Sequence, residues 1–220
     1  MFSRIVWSQR IAPGQMELDK GLSFFRERII PSLQTQTGFL GAVVLANAET
    51  GESASVTYWE SAEAMVASEA MGAAGRVEVA KTFGIAAMDI DRFETLLQDR
   101  TGPPKAGTFV RLNDVPASRA RIDAVLDWAR DTALPKVKAL SGYRALLIGA
   151  NRATGRMLIS SVWESAADRQ ASEAGISGMR GQLRDIAKAQ AEIRVSLYEG
   201  VLAEVSQAAQ QSTTAKAASI

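Results

Sequence analysis

Arg111 and Asn113 stand at i and i+2 of an extended run, so their side chains share one face of a strand. A guanidinium beside a carboxamide can anchor an anionic or carbonyl-bearing ligand, and an ordinary solvent-facing or interface pair produces the same pattern. Trp7 and Tyr58 also occupy strand positions that can face inward, and Trp163 could line a cavity. A Trp recurring at the same place, Trp59 and Trp163, is equally a packing anchor between hairpin and helix. Glu60 and Glu164 could serve as acids or bases, or as solvated charges at a helix start. Glu69 and Glu173 invite a paired-carboxylate reading, set against a solvated helix face.

The composition narrows the chemistry. Among 220 residues there is no Cys and no His. That removes disulfides, thiolate nucleophiles, iron–sulfur clusters, the commonest transition-metal ligand and the usual proton shuttle near neutral pH. No metal and no cofactor is expected, and neither zinc nor haem should bind tightly. Twenty-five basic residues face 24 acidic ones, so no global field recruits nucleic acid or anionic membrane. No run approaches the ~20 apolar residues of a membrane span, and Met1 to Trp7 read straight into a strand. The expected setting is cytoplasmic and the expected partner a small molecule.

The residues that must position these groups come in two copies. Thr50-Gly51, Trp59-Glu60-Ser61-Ala62 and Ala67-Ser68-Glu69-Ala70 return as Thr154-Gly155, Trp163-Glu164-Ser165-Ala166 and Ala171-Ser172-Glu173-Ala174, all displaced by 104. The same ungapped register pairs Val6 with Val110, Pro31 with Pro135, Gly38-Phe39 with Gly142-Tyr143 and Asn47 with Asn151. It also sets Trp7 against Arg111, Gln9 against Asn113 and Tyr58 against Val162, unequal pairs that would give the two halves different cavities. Near the end of each copy Phe93-Glu94 matches Tyr198-Glu199 better at 105. Residues 1–100 and 107–204 are read as the repeats, 101–106 as a Pro/Gly linker and 205–220 as a frayed or disordered tail.

Each copy reads βαββαβ. A first strand (2–9; 108–113) leads, past Pro13-Gly14 or Pro116-Ala117-Ser118, into an amphipathic helix that Pro31 or Pro135 should end or kink. Two strands joined by an Asn-x-x-Thr-Gly turn follow. Ser61 and Ser165 then suit helix N-caps with acidic residues behind them. Last strands are expected around 90–96 and 193–202. This is the ferredoxin-like α+β arrangement. One face of such a sheet lacks helices, so two tandem units packed sheet to sheet would make an intrachain barrel, with a further homodimer left open.

The element order, the Gly-Phe/Tyr start of the second strand and the Trp-x-Ser start of the second helix resemble the antibiotic-biosynthesis monooxygenase-like group of the dimeric α+β barrel superfamily. The resemblance spans nearly all of both copies. It implies an intrachain pseudo-dimer and, if an enzyme, a cofactor-independent oxygenase of a small aromatic or conjugated substrate. A non-catalytic ligand-binding module and a purely structural filled barrel are the alternatives. Many members of that group carry His where this chain has Ser68 and Ser172. Its haem-degrading members resemble the second copy at Asn113, with Gln9 the counterpart in the first, but their His ligand has no equivalent here.

Overall fold

The computed structural model describes residues 1–10, 15–83 and 85–206. Pro13-Gly14 and the tail beyond Ser206 lie outside the described residues. The first half contains β1 (Phe2–Arg10), α1 (Gln15–Phe24), a π-helical turn (Phe25–Ile29), α2 (Ile30–Gln34), β2 (Phe39–Ala46), β3 (Glu52–Trp59), α3 (Ala62–Ala67), α4 (Glu69–Phe83) and β4 (Ile85–Arg100). The second contains β5 (Thr108–Pro116), a 3-10 turn (Arg119–Arg121), α5 (Ile122–Trp128), a π-helical turn (Ala129–Ala133), α6 (Leu134–Lys138), β6 (Tyr143–Ala150), β7 (Arg156–Trp163), α7 (Ala166–Ala187) and β8 (Arg194–Val205). Hydrogen bonding links the strands as β1-β3-β2-β8-β5-β7-β6-β4 and closes the ring. The fold is α+β with an eight-stranded barrel.

Compactness does not divide the chain at its linker. Unit one comprises Met1–Arg92, Pro104–Ala106 and the chain from Gly200 onward; unit two comprises Phe93–Pro103 and Gly107–Glu199. Each last strand is longer than its apolar run suggests and is shared between the units. The Thr101 N–H donates to the Arg144 carbonyl and the Ser206 N–H to the Leu40 carbonyl. Those donors are 105 residues apart and their acceptors 104, which is the one-residue slip seen near the end of each copy. Val205 therefore completes β8 and Ser206 is bonded and buried, two residues past the expected end of ordered structure.

Local sequence explains the shared pieces. Asn47 and Asn151 open the hairpin turns, their Oδ1 atoms accepting from the backbone N–H groups two and three residues on at 2.9–3.1 Å. Gly51 and Gly155 close them at φ 71° and 86°, where a Cβ would be strained. Ser61 and Ser165 cap α3 and α7 as expected, accepting from Ala64 N and Asp168 N. The prolines neither end nor sharply break their helices. In both halves a π turn precedes Pro31 or Pro135: Ile30 N–H reaches Phe25 O and Leu134 N–H reaches Ala129 O, five residues back. The widened turn places the missing proline donor where an i→i−4 bond is already given up.

The first strands correct the register. Phe2 opposes Trp59 in the β1–β3 ladder and Phe109 opposes Trp163 in the β5–β7 ladder, so β1 and β5 correspond at an offset of 107, not 104. Arg4 corresponds to Arg111, Val6 to Asn113 and Trp7 to Asp114. The pairings of Val6 with Val110, Trp7 with Arg111 and Gln9 with Asn113 fall. Three additional residues separate the first strand from the π turn in the first half.

Candidate functional site

Between the helices and the β1–β3–β2 sheet of unit one lies a cavity of about 190 Å³. Its sheet wall is formed by alternate residues, among them Arg4, Val6 and Ser8 of β1 and Ser53, Ser55 and Thr57 of β3, as a pleat requires. Leu22, Phe24 and Phe25 come from the α1 side, and Met71, Gly72, Gly75, Arg76 and Val79 from α4. Phe24 and Phe83 meet edge to face at 5.5 Å.

The corresponding region of unit two is packed core. Where the cavity has Gly21, Ser53, Ser55, Gly72 and Gly75, the register places Val125, Met157, Ile159, Ile176 and Met179. All five are buried members of one apolar cluster. Substitutions in the other sense, Phe25 for Ala129, Ile29 for Ala133 and Phe83 for Ala187, enlarge the walls of unit one without filling it. No periodicity rule flags a glycine or serine as a cavity, because the signal is the size difference at matched positions.

One end of the cavity is cationic. Arg4, only 3% exposed, donates to the Met65 carbonyl, to Ser68 Oγ at 3.0 Å and to Glu69 Oε2 at 3.2 Å, and stacks 5.6 Å from the Trp59 ring. Arg76 and Arg92 also engage Glu69. Burial would raise the Glu69 carboxyl, but hydrogen bonds from Arg76 and Arg92 and the charge of Arg4 outweigh it and hold the group below the ordinary carboxylate value. Glu69 is thus a fixed anion rather than a general base. Burial lowers the Arg4 guanidinium, Glu69 opposes this, and Arg76 and Arg92 add to it; an arginine remains protonated nonetheless.

The residues expected to bind ligand lie elsewhere. Trp7, at an odd position of β1, is on the face opposite Arg4, Val6 and Ser8, and its indole N–H donates to Asp91 Oδ2 at 2.7 Å. Tyr58 is likewise out of phase with Ser53, Ser55 and Thr57 and does not line the cavity. Arg111 and Asn113 share one buried face, but Arg111 is spent on Ser172 Oγ (2.8 Å), the Arg169 carbonyl (2.5 Å) and Glu173 (3.2 Å), while Asn113 Nδ2 donates to the Ile159 carbonyl at 3.2 Å. Trp163 is fully buried, with its N–H on Ser161 Oγ and Tyr143 against its ring. Trp59 matches it with Thr57 and Phe39. Both are packing anchors. Glu60 and Glu164 are exposed. Glu69 and Glu173 are neither a catalytic pair nor free surface charges, since each is held by arginines of its own unit.

Comparison with known proteins places the fold. No family model matches the chain. The uncharacterized protein Rv2557 of Mycobacterium tuberculosis (strain ATCC 25618 / H37Rv) is 26% identical over 148 residues, 67% of this chain and 66% of that protein. Rv2558 of the same strain is 26% identical over 136 residues, covering 62% and 57%. The matched stretch thus spans less than two thirds of either relative. Among solved structures, an anthrone oxidase-like protein superposes with a TM-score of 0.67 at 13% identity, over 94% of this chain and 93% of that one. A ferredoxin-fold protein related to antibiotic biosynthesis monooxygenases, from Listeria monocytogenes 4b F2365, gives 0.56 at 10% identity over 92% and 95%. A heme-degrading enzyme from Listeria monocytogenes gives 0.53 at 10% identity over 90% and 99%. These likenesses show the fold alone, a ferredoxin-like α+β barrel. Among the described cavity-lining residues there is no His, Cys or Tyr, and the thioethers Met71 and Met88 lack the His that accompanies Met at a haem iron, so the described donor set does not fit haem.

Proposed function

We propose that unit one binds a small aromatic or conjugated molecule and acts as a monooxygenase-like enzyme that relies on its substrate for the electrons. The observation that carries this is the exchange of five core-filling residues for glycine or serine, which opens a largely apolar cavity in one unit while its counterpart stays packed. A cavity of roughly 150 Å³ takes a benzene ring, so the volume here suits one or two fused rings. Monooxygenase-like and anthrone oxidase-like proteins share the fold, which supports the reaction class. In such a reaction an activated CH₂ and O₂ become C=O and water, with the substrate losing two hydrogens and gaining one oxygen atom. The chain has no His or Cys, and the one carboxylate among the described lining residues is Glu52, so a substrate that ionises readily suits the site best.

The test is oxygen uptake and product formation with 1-naphthol and 2-naphthol, aerobically and anaerobically, for the wild type and for Ser55→Ile combined with Gly75→Met. Oxygen-dependent turnover lost in the filled variant supports the reading. Turnover that survives filling would remove the cavity from the reaction. Saturable binding without oxygen uptake selects the second reading, a non-catalytic binding module, which the largely apolar lining of the cavity favours.

A further inference from the structure

We infer that the cavity takes ligands bearing a carboxylate, held at the Arg4–Arg76 end across Gly72; this rests on reading the cavity as a ligand site. A Cβ built on Gly72 would lie 3.1 Å from an Nη1 of both Arg4 and Arg76. The missing side chain therefore leaves two guanidinium edges side by side over bare helix backbone, at the wall of the cavity both residues line. Arg4 is almost wholly buried, and its Nε, itself sequestered, has no hydrogen-bond partner. The two cations share Glu69 as their carboxylate, and Arg92 draws on the same group.

The contrast with unit two separates this role from a structural one. Arg111, Ser172, Glu173 and Arg180 repeat the whole Arg–Ser–Glu–Arg tie, so the tie alone does not imply a ligand. There, however, the position of Gly72 is held by Ile176, a buried member of the apolar core. Unit two keeps the tie and covers it; unit one keeps the tie and uncovers it beside a cavity. A planar carboxylate matches the guanidinium geometry, and the apolar walls receive its ring. Arg92 sharpens the difference, since at the 105-residue offset its partner is Leu197.

Isothermal titration of the full chain with 2-naphthoate and with its neutral isostere 2-naphthamide tests the inference. The wild type should prefer the carboxylate by about 10- to 100-fold, the range expected for hydrogen bonds to a charged group, and salt should narrow the gap. Arg76→Met should collapse the preference while the amide still binds. Gly72→Ile retains both arginines while covering and slightly displacing their guanidinium edges, a second variant that keeps the charge of the site, and should do the same to the carboxylate. Equal affinity for the two probes in the wild type would overturn the inference and leave the cavity reading standing. If neither probe binds, the cavity reading falls and this inference with it.

Discussion

Arg4 and Arg111 face equivalent ladder partners, Thr57 and Ser161, yet lie 107 residues apart while those partners lie 104 apart. Each guanidinium crosses from the first strand of its half to a serine, Ser68 between α3 and α4 or Ser172 within α7, and reaches a glutamate one residue on at 3.2 Å. The same tie fastens strand to helix whether the space beside it is open or filled.

Removing the serine hydroxyl should therefore destabilise both units alike. A hydrogen bond to a buried charged group contributes about 1.5–3 kcal/mol, so Ser68→Ala and Ser172→Ala should each lower the unfolding free energy by that amount, read as a lower urea midpoint at an unchanged m-value. No loss in either variant would mean that the guanidiniums are held by their glutamates and carbonyls alone.

Much of this was legible in the sequence, for a physical reason. Turns and caps depend on one or two residue types whose side chains bond the local backbone, so Asn47, Gly51 and Ser61 and their counterparts fix the hairpins and helix starts without tertiary context. The first strands carry no such marker. An alternating run aligns almost as well at several offsets, and Val6 against Val110 looked acceptable although Val6 corresponds to Asn113. That three-residue error concealed the equivalence of Arg4 and Arg111 and promoted Trp7, which faces the other way. The cavity was hidden more deeply, since it is defined by side chains that are absent. Unequal strand residues predict an asymmetric site, but the difference in the cavity comes from Gly21, Ser53, Ser55, Gly72 and Gly75.

The matched positions should respond in opposite ways to exchange. Met179, the counterpart of Gly75, is buried, and Met179→Ala should cost about 2–5 kcal/mol, the range for deleting a large core side chain. Gly75→Ala removes a glycine from a helix interior where a Cβ would meet Ile29 Cδ1 at an ordinary 3.4 Å. It should stabilise by about 0.5–1 kcal/mol. Chemical denaturation of both single variants checks the pair; a destabilising Gly75→Ala would show that the helix is held apart by something other than the cavity.

Asp114 should govern part of the acid limb of stability. Burial raises its carboxyl, but hydrogen bonds and charge from Arg156 and Arg194 prevail, so its folded pKa lies below the ordinary value. A depressed carboxylate contributes stability that is complete above the unfolded value of about 3.9 and is lost as pH falls through the folded one. Melting temperature followed from pH 6 to pH 2 should drop less steeply below pH 4 for Asp114→Asn than for the wild type, with the variant already less stable at pH 6. Parallel acid limbs would assign the effect to other carboxylates.

At the start of α7 the backbone and a cap constrain one another. Gly142 has φ 71°, and a Cβ there would strike the Asp168 side chain. Asp168 accepts from Ser141 Oγ at 3.1 Å and from Ser165 Oγ at 2.5 Å, while its own backbone N–H donates to the Ser165 cap. Gly142→Ala should thus cost about 1–2 kcal/mol for the left-handed backbone and more for displacing Asp168 from the cap, which is itself worth about 0.5–2 kcal/mol. Asp168→Ala should lose only its side-chain bonds, because the Ser165 cap accepts from the backbone. Combining the two removes the clash, so the double variant should be less destabilised than the sum of the singles by about 0.5–3 kcal/mol. Urea denaturation of all four proteins closes the cycle, and strict additivity would show that the strain at position 142 lies wholly in the backbone.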